Sequence, residues 1–150
     1  MNETETAKLA KAMGEQCVAY RVRVLNRVIT NIYDAALLPL GITANQATIL
    51  IMLSIVGEAG PGMIGKALYM ERSTVSRNLE RMKKQGWLKA SAGKGRSHVI
   101  SVTPEGRKML ASMHDAWGKA QKEACRMLGK TGVSAVHDLH EIMKKATSAK

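Results

Sequence analysis

The chain has 150 residues and 45% hydrophobic content, enough for one ordinary domain with helical extensions and too apolar for a disordered segment. Lys and Arg number 23 against 12 Asp and Glu, a net charge of +11 that favours polyanionic partners. The longest uncharged apolar run, ATILIMLSIV (47–56), falls well short of the ~20 residues a membrane span needs. No catalytic triad, glycine-rich phosphate loop or metal-spaced cluster suggests an enzyme or a cofactor.

The N-terminal MNETETAKLAKAMGE has no apolar leader core, and Cys17 and Cys125 make no disulfide framework. The expectation is a cytoplasmic protein with reduced thiols and no membrane partner. Leu9, Met13, Cys17, Tyr20, Val24, Val28 and Ile32 then recur every three or four residues, which predicts one long helix over about 8–37. A second stripe (Val18, Val22, Leu25, Ile29, Tyr33, Ala36) runs beside the first. A helix apolar on two sides must be covered from two directions. Pro39 and Gly41 end it.

TANQ (43–46) predicts a capping box, with Thr43 as N-cap and Gln46 three residues on, opening a buried helix to about Val56. GEAGPG (57–62) is a turn cluster. A short helix at about 63–70 offers Ile64, Leu68 and Met70 to a core, and Gly65 allows a close crossing by the next helix. That next helix is RSTVSRNLERMKKQG (72–86), stopped by Gly86. The period then changes from 3.6 to 2: WLKAS and RSHVISV flank AGKG as two strands joined by a basic loop. Thr103 as N-cap and Pro104 at the first helical position start a helix to about Leu128. Gly129 and Gly132 are expected to break it before a last helix over about 133–146. The order is that of a mainly α chain with a small β-hairpin wing. Residues 43–103 read as a winged helix-turn-helix lobe, and 8–38 with 104–147 as a helical dimerisation region, in a single 1–150 unit.

The charge is local. Residues 1–60 hold five acids and five bases, whereas 66–96 hold nine bases (Lys66, Arg72, Arg77, Arg81, Lys83, Lys84, Lys89, Lys94, Arg96) against Glu71 and Glu80. At ~100° per residue Val75, Leu79 and Met82 fall together toward a core. Ser73, Arg77 and Lys84 fall opposite, flanked by Thr74 and Arg81 on one side and by Ser76 and Glu80 on the other. Small hydroxyls near the helix start can approach bases or phosphates, and Arg can make a bidentate contact to guanine. The helix N-terminus adds N–H groups and partial positive charge. In the loop SAGKGRS (91–97), Lys94 and Arg96 form a cationic tip suited to a minor groove. The alternative for each is an ordinary solvated face. Leu110, Met113, Trp117 and Ala120 give the later helix an apolar stripe that also needs a partner. A symmetric dimer would place two basic helices about one DNA turn (~34 Å) apart.

LGITANQATILIML, GKALYMERSTVSRNLERMKKQGWL and ISVTPEG together resemble the MarR family of bacterial transcriptional regulators, over about 15–128. The resemblance implies a homodimer binding a pseudo-palindromic double-stranded DNA operator, in the manner of a repressor. It also implies DNA contact by Ser73, Thr74, Ser76, Arg77 and Arg96, with Arg72, Arg81, Lys84 and Lys94 as adjoining cations. One departure is Lys94, where the family carries an Asp that positions the wing arginine. The family's small aromatic or phenolic effectors bind between the dimer helices and the lobe, leading to release of DNA. Some relatives sense peroxides through a first-helix cysteine, which makes Cys17 a candidate redox thiol and a thiol-based redox-sensing repressor the alternative reading; in those sensors the cysteine stands closer to the position of Tyr33, so Cys17 is out of register, and a buried Cys is commonly a small hydrophobe. His137 and His140 stand three apart without a third ligand, so no metal is expected. The ten methionines are core filler or the lining of an adaptable pocket. A different class, a winged-helix module for protein or RNA, is disfavoured by 3% aromatics and no Phe, which leave few stacking platforms.

Overall fold

The computed structural model describes residues 2–93, 95 and 98–148, and the side chains of all of these but residue 148. Among the described residues, six α-helices and three strands occur in the order α1 (Glu3–Gln16), α2 (Val18–Leu37), α3 (Ala44–Val56), β1 (Glu58–Ala59), α4 (Pro61–Leu68), α5 (Arg72–Lys84), β2 (Leu88–Ala92), β3 (His98–Val102) and α6 (Pro104–Ser148). A 3-10 turn, Leu38–Leu40, joins α2 to α3 and ends at Gly41, whose φ of 70° lies in the left-handed region that glycine adopts without strain.

The single long helix expected over 8–37 is instead two. Cys17 is extended (φ −72°, ψ 105°) between α1 and α2, and its Sγ accepts the Tyr20 N–H at 3.3 Å as the N-cap of α2. Apolar periodicity carries on through one non-helical residue, so the stripe gave no warning. The break expected further on is present at Gly129 (φ 65°, ψ 174°), which divides α6 into two limbs. Gly132 is no second break. It lies in the second limb, where an added Cβ would meet Leu128 Cβ at 3.1 Å.

The capping box at α3 forms as the sequence predicts. Gln46 N–H donates to Thr43 Oγ1 (3.3 Å), and Thr43 N–H donates to Gln46 Oε1 (3.0 Å). Asp34 of α2 adds an acceptor, taking the Ala44 N–H at 2.6 Å and so tying the start of α3 to the preceding helix. The two predicted strands pair antiparallel, Leu88 opposite Val102 and Ala92 opposite His98. β1 was not expected: Glu58 and Ala59 pair with Ser101 and Ile100, making β3 the central strand of three. A two-residue strand inside a Gly/Pro turn cluster has no alternation to betray it.

One apolar cluster lies beneath this sheet. Ile49, Leu50 and Leu53 of α3, Ile64 of α4, Val75, Leu79 and Met82 of α5, and Leu88 and Ile100 of the hairpin are buried together. Leu37 and Met113 bring α2 and α6 into the same cluster. Gly106 supplies a close approach: a Cβ there would stand 2.2 Å from Trp87 O and 2.7 Å from Val102 Cγ1. Its N–H donates to Thr103 Oγ1 at 3.0 Å, the N-cap expected at this helix start. No single described helix is long and apolar enough to cross a membrane. α2 and α3 reach that composition only jointly, across an 81° bend, with α3 buried in the lobe.

Candidate nucleic-acid interface

α5 takes its orientation from three buried side chains. Val75, Leu79 and Met82 are 1%, 3% and 0% exposed, and burying side chains of this size gains about 1.5–3 kcal/mol each before ordering costs. The opposite face is therefore fixed outward. Arg72, Ser73, Ser76, Arg77, Arg81 and Lys84 are all exposed. Thr74 is half-buried: its Oγ1 accepts from Arg77 Nη2 at 3.4 Å, and its carbonyl accepts from Asn78 Nδ2 at 2.9 Å. It serves first as a strut for the helix surface, with Ser73 and Ser76 presented more openly. Lys94 and Arg96, the expected wing tip, lie outside the described residues.

The close crossing expected at Gly65 is present. A Cβ there would stand 3.1 Å from Met70 O and 3.5 Å from Val75 Cγ2, and Met70 N–H donates to Gly65 O at 2.9 Å. The turn between α4 and α5 passes through Tyr69 in the left-handed region (φ 51°), the only described non-glycine residue with positive φ.

Two features make this face a place for anions. Among the described residues, the ion pairs are Lys11–Glu15, His114–Asp115, Arg126–Glu123 and His140–Glu141, all outside 66–93. The cations of that segment thus have no carboxylate partner within 4 Å among the described residues. Helix starts differ in the same sense. α1, α2, α3 and α6 begin with side-chain acceptors from Asn2, Cys17, Thr43 and Thr103, whereas α4 and α5 have no side-chain cap. Their first-turn N–H groups remain available to an external acceptor, aided by the helix dipole.

An open cleft of about 940 Å³ lies between α4, α5 and the hairpin, edged by Lys66, Arg72, Ser76, Lys83 and His98 with Glu80 among them. Lys66, Lys83 and His98 were not singled out as contact residues from the sequence. Lys66 and Lys83 belonged to the counted basic run, but only folding brings β3 beside α5 and so adds His98.

A second cavity, about 350 Å³, lies between α2, α3 and the first limb of α6, lined by Tyr33, Trp117 and Gln121 among others. The Tyr33 hydroxyl donates to Gln121 Oε1, and Gln121 Nε2 donates to Cys125 Sγ at 3.3 Å. Burial pushes the Tyr33 phenol above its ordinary value, and the nearby Cys125 adds to the rise. None of the methionines lines this cavity, so the adaptable Met-lined pocket is not found here. Cys17, half-buried at its cap position, is absent from the lining, and Cys125 is the thiol beside Tyr33. His137 and His140 join no group of three metal-ligating side chains among the described residues.

Residues 40–97 match the model of the MarR family. The comparison with curated proteins returned no match. Among solved structures, the fold is similar to a cysteine-to-serine variant of MarR from E. coli complexed with operator DNA, at a TM-score of 0.77 and 19% identity over 87% of this chain and 96% of that one. It is also similar to the M. tuberculosis transcriptional regulator MosR in complex with DNA, at a TM-score of 0.76 and 27% identity over 90% and 99% of the two chains. A third similar structure is Bordetella bronchiseptica BpsR, whose DNA binding is regulated by 6-hydroxynicotinic acid (TM-score 0.73, 22% identity, 86% and 95% covered).

Proposed function

We propose that this chain, whose residues 40–97 match the MarR family model, is a MarR-family transcriptional regulator acting as a sequence-specific double-stranded DNA-binding repressor. It acts as a homodimer on a pseudo-palindromic operator and is released by a small effector. The observation that carries this reading is the outward face of α5, with Ser73, Ser76 and Arg77 exposed above three buried apolar anchors. Residues 43–103 form the DNA-binding lobe in this proposal, and 8–38 with 104–147 the dimerisation region.

α5 enters the major groove. Arg77 reads a base edge, with guanine O6 and N7 as its bidentate match, and the two serines approach neighbouring bases or phosphates. Arg72, Arg81 and Lys84 meet the backbone and set register, as phosphate contacts do. The uncapped starts of α4 and α5 offer N–H groups to the same phosphates. Lys94 and Arg96 are assigned to the adjacent minor groove from the sequence alone. Support for the dimer is the apolar surface left open on the helical segments: Val18, Val22 and Val24 of α2, with Leu139, Ile142 and Met143 of α6, are each about 40–70% exposed. The effector is assigned to the cavity at Tyr33, Trp117 and Gln121, where an aromatic ring and two polar groups converge.

Selection of bound duplexes from a random pool tests the reading. The expected winners share an inverted repeat with half-sites about 10 base pairs apart or a multiple of this, and binding weakens by ~0.9 log unit per tenfold salt for each phosphate neutralised. A pool that returns no dyad, or affinity flat in salt, contradicts it.

A further inference from the structure

We propose that the second limb of α6 is a clasp on the turn before α5, hinged at Gly129 and closed by the hydroxyls of Tyr69 and Thr147. The seating of this limb then sets how firmly the start of the basic helix is held.

Tyr69 closes α4 in the left-handed region (φ 51°, ψ 39°), where glycine or asparagine is the usual residue. Burial does not offset the strain, since the residue is 65% exposed. The end of its ring is held instead from far along the chain, where its hydroxyl meets that of Thr147. The direction of that bond follows from the other partners of Thr147. The single Thr147 hydroxyl hydrogen goes back to Met143 O at 2.9 Å, with Lys144 O at 3.2 Å sharing it. Tyr69 is therefore the donor and Thr147 Oγ1 the acceptor. A chain of bonds runs from the turn, through Thr147, into the backbone of α6, and bonds in such a chain strengthen one another. Met70 follows at once, donating its N–H to Gly65 O at 2.9 Å just before α5 begins at Arg72.

At the other end of the limb, Gly129 has φ 65° and ψ 174°, a combination essentially confined to glycine. An added Cβ there would meet nothing within 4 Å, so conformation and not space requires the glycine. Between the limb and α4 lies an open groove of about 620 Å³, and the hydroxyl pair spans it. At ~100° per residue, Leu139 and Ile142 stand roughly 80° and 140° around the helix from Thr147. A closed clasp therefore leaves these exposed side chains free. In the proposed dimer they meet the partner, which would link assembly to the start of α5. That link rests on the proposed function, whereas the clasp itself does not.

The test is residue-resolved amide hydrogen exchange of the full chain, with each variant read on the wall opposite the change. Tyr69→Phe keeps the ring and removes the donor, and the Met143 amide should exchange roughly threefold faster or more. Thr147→Val keeps the shape and removes the acceptor, and the Met70 amide should respond to a similar degree. The double variant should go no further than either single one. Gly129→Ala, which forces the hinge out of its conformation, should expose Met70 as Thr147→Val does. Tyr20→Phe, at another exposed tyrosine, should alter neither amide, and the buried Leu50 and Leu53 amides of α3 should stay protected in every variant. Single variants that are silent across the groove, effects that add in the double variant, or a Gly129→Ala chain with Met70 still protected would overturn the proposal. None of these readings needs DNA or a dimer, so they stand apart from a failure of the proposed function.

Discussion

The winged lobe and the helices around it solve the burial problem in opposite ways. α3 hides five residues within its own chain and α5 three, yet α1 hides none and α2 only Leu37. The lobe places its core side chains in one closed cluster, with Ile55 and Met63 left outside it, whereas α1, most of α2 and the second limb of α6 keep theirs on the surface. Side chains in the first set determine whether one chain folds. Those in the second remain exposed and, in the proposed dimer, meet the partner. The basic face of α5 belongs to a third category: its side chains contribute little to either and are free to be chosen by a ligand.

The largest effect should come from the closed cluster. Leu50→Ala, at a fully buried position of α3, should cost about 2–5 kcal/mol in urea unfolding, with little dependence of the loss on protein concentration. A loss below 1 kcal/mol would mean that the lobe is not the folding unit. The outer helices should behave in the converse manner. Leu139→Asp with Ile142→Asp, both about half exposed, should weaken self-association by roughly a hundredfold in sedimentation experiments, about 2.7 kcal/mol. An unchanged sedimentation profile would place the partner elsewhere.

Gly106 sharpens the comparison from within the lobe. Its backbone passes so close to Trp87 O that Gly106→Ala must displace α6 from the hairpin, at a cost of about 1–3 kcal/mol in thermal or urea unfolding. Wild-type stability would show that the two elements slide freely. Arg77→Ala tests the third category. It should leave unfolding unaltered and cost roughly 1–3 kcal/mol of operator affinity, concentrated at one base pair when a panel of variant duplexes is measured. Equal loss on operator and random DNA would assign Arg77 to phosphate.

What could be read from the sequence follows the same division. The capping box at Thr43, the buried triad of α5 and the two strands read from WLKAS and RSHVISV are local patterns; the box and the triad form as expected, and the strands pair over Leu88–Ala92 and His98–Val102. Cys17 as a helix break could not be read, because a thiol cap has no distinctive composition. Nor could β1, whose pairing is set by where β3 arrives. Gly106 stood in the quoted TPEG, but its contact with Trp87 spans a turn of 19 residues that only folding closes. Of the candidate interface, the outward direction of Ser73, Ser76 and Arg77 was legible from the helical period. The approach of His98 and the partial burial of Thr74 depend on neighbours distant in sequence.

The smallest effect lies where the two regions touch. Tyr33 of α2 faces α6 through Gln121, and partial burial raises its phenol above the ordinary value of about 10. The folded state thus prefers the neutral phenol more than the unfolded chain does. The resulting contribution is complete below pH 10 and is lost as pH climbs through the raised folded value. Tyr33→Phe removes this group together with its hydrogen bond, for which a loss of about 1 kcal/mol is expected at pH 8. The stability gap between wild type and Tyr33→Phe, followed by urea unfolding from pH 8 to 11, should therefore narrow as the pH rises. A gap that stays constant would mean that the phenol is as well hydrated in the folded protein as in the unfolded one, and that the junction between helix and lobe is open to water.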